Sequence, residues 1–192
     1  MSDGDSKILE ATRRRLTGKQ AETVEKLTTS AMTVLAREGF AGMTIRMVAA
    51  GAGVGTATAY TYFSSKEHLV AEIFWRRLRS SPSPVSDDAD PVVRVLAELR
   101  NIALLVADEP EFSGAVTSAL LGRDPDVQHL RLRIGVEIRN RLTGALAPNA
   151  DTGIVESLEL LYAGALVRAG MGYESYSEIA ERIERSAKLI LR

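Results

Sequence analysis

Apolar residues recur at helical spacing over nearly the whole of this chain, and that period leaves room for few folds. Ala21, Val24, Leu27, Ala31, Val34 and Leu35 form the first stripe, and Gly39 supplies its stop. Thr17 and Gln20 fit a capping box at its start, each side chain bonding the other's backbone N–H. Thr44 is a good N-cap for a second element running through Ile45, Val48 and Ala49 to Gly51. A third, short helix is expected over about residues 56–62, and a fourth from Ser65 carrying Leu69, Ile73, Phe74 and Leu78. Residues 80–91, SSPSPVSDDADP, have no period and read as a connector. The helical pattern then returns over 92–107, 111–121, 125–146, 152–173 and 177–191. No strand alternation and no internal repeat competes with it. The expected fold class is all-α, with about nine helices.

The 192 residues suffice for one large helical domain, or a small domain joined to a larger one. The absence of Cys removes disulfides, thiolate metal sites and Cys nucleophiles, and two histidines, His68 and His129, make a His-based metal centre improbable. Neither a metal nor a cofactor is expected. No apolar run nears the ~20 residues that span a bilayer, and the polar, acidic start MSDGDSKILE is unlike a secretory signal. No membrane partner and a cytoplasmic location are therefore expected. Charge is unevenly placed: residues 1–79 hold 12 Lys and Arg against 8 Asp and Glu, whereas residues 80–192 hold 12 against 17. An electropositive first part on an acidic body suggests a polyanion partner for that part alone.

The stretch GAGVGTATAYTYF, residues 51 to 63, admits two readings. A dinucleotide fingerprint needs G-x-G-x-x-G or G-x-G-x-x-A between a strand and a helix, but its third position here is Thr56. Glu72 has the spacing of the acidic residue that follows such a loop, yet it sits in an amphipathic helix. A helix-turn-helix fits better. Ala49 is small where two helices cross, Gly53 allows a left-handed turn, and Val54 plugs it from below. The helix that follows has little to offer a core.

At these residues the chain resembles the DNA-binding domain of the TetR family of transcriptional repressors. The matching string is MTIRMVAAGAGVGTATAYTYFSSKEHL, residues 43–69, in which Thr44, Val48, Ala49, Ala52, Gly53, Val54, Thr58, Tyr60, Tyr62, Phe63, Lys66 and Leu69 fall in register. Two positions depart from the family pattern: Gly55 replaces a Ser cap, and Ala59 replaces a larger apolar residue. The resemblance implies a DNA surface built from Thr44, Arg46, Gly55, Thr56, Ala57, Thr58, Tyr60, Tyr62 and Lys66. Thr44 would meet a phosphate and Arg46 a guanine edge, with Thr56, Ala57 and Thr58 facing base edges. Tyr60 and Tyr62 would bind phosphates through their hydroxyls, with core packing the alternative for one of them; Tyr62 is the expected ligand. Lys66 would contact the DNA backbone. Arg13, Arg14 and Arg15 could form an arm along the duplex or a solubilising tail.

The remaining helices carry the expected sensor and dimer surfaces. In helix 152–173, Ile154, Leu158, Leu161, Tyr162, Ala165 and Ala169 share one face, and Leu160, Gly164, Val167 and Met171 another. The last helix offers a seam of Ile179, Ile183, Ala187 and Ile190. In the family the last two long helices form a four-helix dimer interface, and these two patterns suit it. Trp75, Leu99, Phe112, Val116, Leu120, Ile134 and Tyr162 are candidate walls of an effector pocket. Arg131 projects into the apolar stripe of Val127, Leu130, Ile134, Ile138 and Leu142, with Arg141 near its edge. A buried guanidinium needs an anion, either an Asp or Glu of the chain or the acidic group of an effector, unless it snorkels to water.

The expected organisation is a basic arm over 1–17, a helix-turn-helix domain over 18–64 and a helical effector-binding and dimerisation domain over 65–192. The expected function is a homodimeric repressor that binds a palindromic double-stranded operator and is released by a small hydrophobic or amphipathic effector. A helical ligand-binding or scaffold dimer without DNA binding is the alternative. No nucleophile–base pair or rigid carboxylate pair suggests an enzyme.

Overall fold

The computed structural model describes residues 18–84 and 90–192. Thr17 and the Arg13–Arg15 cluster lie outside the described residues. Nine helices and no strand occur among those described: α1 (Gly18–Gly42), α2 (Ile45–Gly51), α3 (Thr56–Tyr62), α4 (Lys66–Ser80), α5 (Pro91–Leu104), α6 (Pro110–Leu121), α7 (Pro125–Leu146), α8 (Thr152–Gly170) and α9 (Tyr176–Ile190).

Local chemistry sets most of the boundaries. Asp90, Asp124 and Asp151 accept backbone N–H bonds at the starts of α5, α7 and α8, and Pro follows the first two at a position where no N–H is needed. Ser175 and Glu178 form a reciprocal capping box at α9. Gly39, at φ +66°, kinks α1 where the sequence placed its stop, and one further turn follows. The fifth and eighth helices end at Leu104 and Gly170, about three residues before their expected limits.

Helix α4 is the centre of the architecture. It packs on α1, α6 and α7, and it buries Leu69, Val70, Ala71, Ile73, Phe74, Trp75 and Leu78. α1 and α2 cross nearby, α2 holds α3, and α5 lies between α7 and α9. α8 packs on α6, α7 and α9.

Both ends of α4 are fastened to α7. At its start, Ser65 caps the helix and also hydrogen-bonds Asp124, the cap of α7. Burial would raise the Asp124 carboxyl; bonds from Ser65 and from the Val127 and Asp126 N–H groups, with His68 nearby, outweigh it and hold the group below its ordinary value. At the far end, Arg141 of α7 donates to Glu98 at 2.9 Å, to Glu137 at 3.0 Å and to the Ser81 carbonyl at 2.9 Å, and also to the Leu78 carbonyl. The guanidinium expected inside the α7 stripe is thus Arg141. Arg131 lies one helical step outside the buried Leu130–Ile134 line, is exposed, and donates to the Gly122 carbonyl at 2.7 Å.

The small residues of α8 divide into two kinds. A Cβ on Gly170 would come within 2.4 Å of Thr117 Cγ2, so α6 and α8 touch there through glycine. A Cβ on Gly164 would meet nothing within 4 Å, because that position faces outward. Gly170→Ala is expected to destabilise the fold by about 1–2 kcal/mol, since overpacking outweighs the gain in helix propensity. Gly164→Ala should be neutral or slightly stabilising in the monomer. Denaturant titration of the two variants checks the contrast.

Candidate nucleic-acid interface and the cavity behind it

The turn between α2 and α3 is built as its residue types require. Ala49 is fully buried at the crossing, and its carbonyl accepts the Val54 N–H at 2.9 Å, closing the turn. Gly53 adopts φ +65°, which any side chain would strain. Val54 packs against the core. Ser30 of α1 donates from its hydroxyl to the Val48 carbonyl at 2.8 Å and locks α2 in place.

α3 then turns one face inward and one outward. Ala59 and Tyr62 are buried, and Phe63 follows on the same side. Ala57, Thr58, Tyr60 and Thr61 are exposed, and Thr56 is half-buried. Tyr60 is 47% exposed and Tyr62 only 6%, so the ring that packs in the core is that of Tyr62, the residue expected to bind phosphate. The two positions lie about 200° apart on a helix, so one must turn in when the other turns out. Gly55 caps α3 without a side-chain bond, and Ala59, smaller than the family pattern, still sits fully in the core.

On the second helix, Thr44 is exposed and accepts the Met47 N–H at 3.2 Å. Arg46 is exposed and makes no ion pair among the described residues. Lys66 has partners inside the protein: its ammonium donates to the Phe40 carbonyl at 2.7 Å and the Ala41 carbonyl at 3.2 Å, and lies 4.7 Å from the Phe40 ring centre. It closes the C-terminal end of α1, where carbonyls lack helical partners.

An apolar cavity of about 290 Å³ lies behind this surface, between α4, α6, α7 and α8. Five expected residues line it: Val116, Leu120, Arg131, Ile134 and Tyr162. Trp75, Leu99 and Phe112 do not. Trp75, one step round α4 from the lining residue Phe74, faces Arg79 instead. Phe112 is buried under the Arg77 guanidinium, and Leu99 sits on α5, whose main partners are α7 and α9. Thr117, Ala163 and Leu166 line the cavity without having been anticipated, and Phe74 of α4 lines it beside them. A larger open groove between α1 and α2 has a mixed-charge rim with Glu22, Lys26 and Arg37.

The dimer expectation also divides. Leu160, Gly164 and Met171 are exposed and Val167 is half-buried, leaving an apolar strip on α8. Ile179, Ile183 and Ala187 are instead buried in the protomer against α5 and α8, because α9 spends its apolar face on its own core. Ile190 is half-buried.

No helix among the described residues is long and apolar enough to cross a membrane. Comparison with known proteins places this geometry. Residues 27–73 match the model of bacterial regulatory proteins of the tetR family. Uncharacterized HTH-type transcriptional regulators of Mycobacterium tuberculosis and Mycobacterium bovis are 47% identical over 175 residues, spanning 90% of this chain and 82% of theirs. In fold, the chain is similar to a TetR transcriptional regulator from Rhodococcus sp. RHA1, with a TM-score of 0.73 at 19% identity over 90% of this chain and 97% of the other. It is also similar to the regulator FadR from Bacillus subtilis in complex with stearoyl-CoA, with a TM-score of 0.59 at 15% identity over 85% and 96%. The helix-turn-helix geometry and the near-full-length relatives together make this chain a member of the TetR family of transcriptional regulators.

Proposed function

We propose that the chain is a homodimeric, ligand-responsive repressor whose α3 enters the major groove of a palindromic operator. One observation carries this reading: α4 begins against the helix-turn-helix at Ser65 and places Phe74 in the cavity wall. A molecule in the cavity therefore touches the helix that sets the angle of the DNA-reading pair. The FadR neighbour with stearoyl-CoA gives an example of such a fold in complex with a ligand that carries a long apolar chain. An effector shifts the balance only by its differential affinity for the two states; about 5.5 kcal/mol moves 1:99 to 99:1.

In this reading Thr56, Ala57 and Thr58 face base edges, Arg46 reaches a guanine, and Thr44 and Tyr60 hold phosphates. Lys66 acts indirectly, by fixing α1 against α4. Two copies joined along α8 would set their recognition helices ~34–36 Å apart.

Binding to promoter-proximal DNA should weaken with salt, with a log–log slope near −0.9 per phosphate contacted. Tyr60→Phe is expected to weaken all sequences alike without changing that slope, because a neutral hydroxyl releases no counterion, whereas Tyr62→Phe should have the smaller effect on affinity. Arg46→Ala should additionally relax sequence preference. Binding that does not weaken with salt, or a Tyr60 variant that binds as tightly as the parent chain, counts against the surface; failure to bind DNA at all would favour a ligand-binding dimer without DNA.

A further inference from the structure

We propose that the α6–α7–α8 cavity takes a neutral, mainly apolar molecule bearing one hydrogen-bond acceptor, such as a ketone, ester or lactone carbonyl, and that the Tyr162 hydroxyl holds that acceptor. The proposal rests on the cavity being the effector site and adds the chemistry it selects.

Tyr162 is 4% exposed, lines the cavity, and its hydroxyl has no hydrogen-bond partner among the described residues. A buried donor left unmet is costly, so it calls for an explanation. Neighbouring hydroxyls do not provide one. Tyr176 donates to the Ser113 carbonyl at 3.0 Å, which makes Thr117 the donor in its 3.1 Å contact with Tyr176. Of these three hydroxyls, only Tyr162 has a proton without an acceptor. Burial, and then the nearby Tyr176, push the Tyr162 phenol far up, so it remains protonated and keeps a proton to donate.

The walls decide the rest. Phe74, Leu120, Ile134, Ile138 and Leu166 are apolar, and the only charged lining residues are Arg131 and Glu159. Arg131 is exposed and engaged with the Gly122 carbonyl, and Glu159 is held by Arg139 at 2.6 Å. A carboxylate would lose its hydration against a wall whose one cation, Arg131, is drawn out to the Gly122 carbonyl. A plain hydrocarbon would leave the donor unmet. A neutral carbonyl on an apolar body satisfies both demands.

The test uses the full chain and N-phenyl-1-naphthylamine, a neutral apolar fluorophore, displaced by 2-decanone or by decanoate. 2-Decanone should displace it at roughly tenfold lower concentration than decanoate. Tyr162→Phe should weaken 2-decanone about tenfold, leave fluorophore affinity unchanged, and raise the melting temperature of the ligand-free chain. A purely structural hydroxyl would instead lower that temperature. Equal 2-decanone binding by the two chains, or better displacement by decanoate, overturns the proposal. Failure of the fluorophore to bind, or equal binding after Ala163→Trp, means that the cavity is not a ligand site; the underlying reading then fails and takes the proposal with it.

Discussion

Arg141→Ala is expected to cost the fold about 3–5 kcal/mol, the usual range for removing one partner of a buried ion pair. The size follows from what is left behind. Glu98 is 3% exposed, and its carboxylate would remain buried without its guanidinium. The Leu78 and Ser81 carbonyls at the end of α4 would lose their donor as well. Glu137 suffers less, because Arg79 also reaches it, at 3.4 Å. For a chain of this size each kcal/mol lowers the melting temperature by ~2–4 °C, so a loss on the order of 10 °C should appear in thermal unfolding. The double variant Glu98→Leu with Arg141→Met should recover much of the loss, because an apolar pair of similar volume needs no charge compensation. A single-variant loss below about 1 kcal/mol would show that the cluster behaves as a surface ion pair.

Residue spacing carried the helix-turn-helix almost completely into view. Ala49, Gly53 and Val54 have the roles that their chemistry suggested, and the expected starts of α5 to α9 fall within a residue of those observed. What was not legible was rotation and partnership. Ala59, Tyr62 and Phe63 share the i, i+3, i+4 relation that turns Tyr62 inward, but in a seven-residue helix rich in small residues the phase is weakly marked. Spacing could not reveal that Lys66 also meets the carbonyls of the last turn of α1, some 25 residues earlier. Arg131 and Arg141 both border the α7 stripe; only the burial of Glu98 on a different helix decides which one belongs inside. The cavity was half legible for the same reason. A helix stripe names the residues that face inward without saying which of them meet another side chain and which meet a void.

Leu160→Glu is expected to abolish dimerisation while leaving each protomer folded, which turns the ambiguity between α8 and α9 into a measurement. Both helices show apolar seams in sequence, but Leu160 is 75% exposed and Ile183 is fully buried. Glu at position 160 faces solvent in the isolated chain, so its melting transition should hardly move. In a two-fold dimer along α8, the substitution removes roughly 2 kcal/mol of apolar burial from each protomer and brings two carboxylates into the same seam. Sedimentation equilibrium should therefore show a monomer. Operator affinity should fall by roughly 10²–10⁴-fold, the advantage that joining two recognition helices confers. Ile183→Glu makes the opposite prediction: a buried, unpaired charge unfolds the protomer itself. A Leu160→Glu chain that remains dimeric would place the interface elsewhere and leave the exposed strip of α8 without a partner.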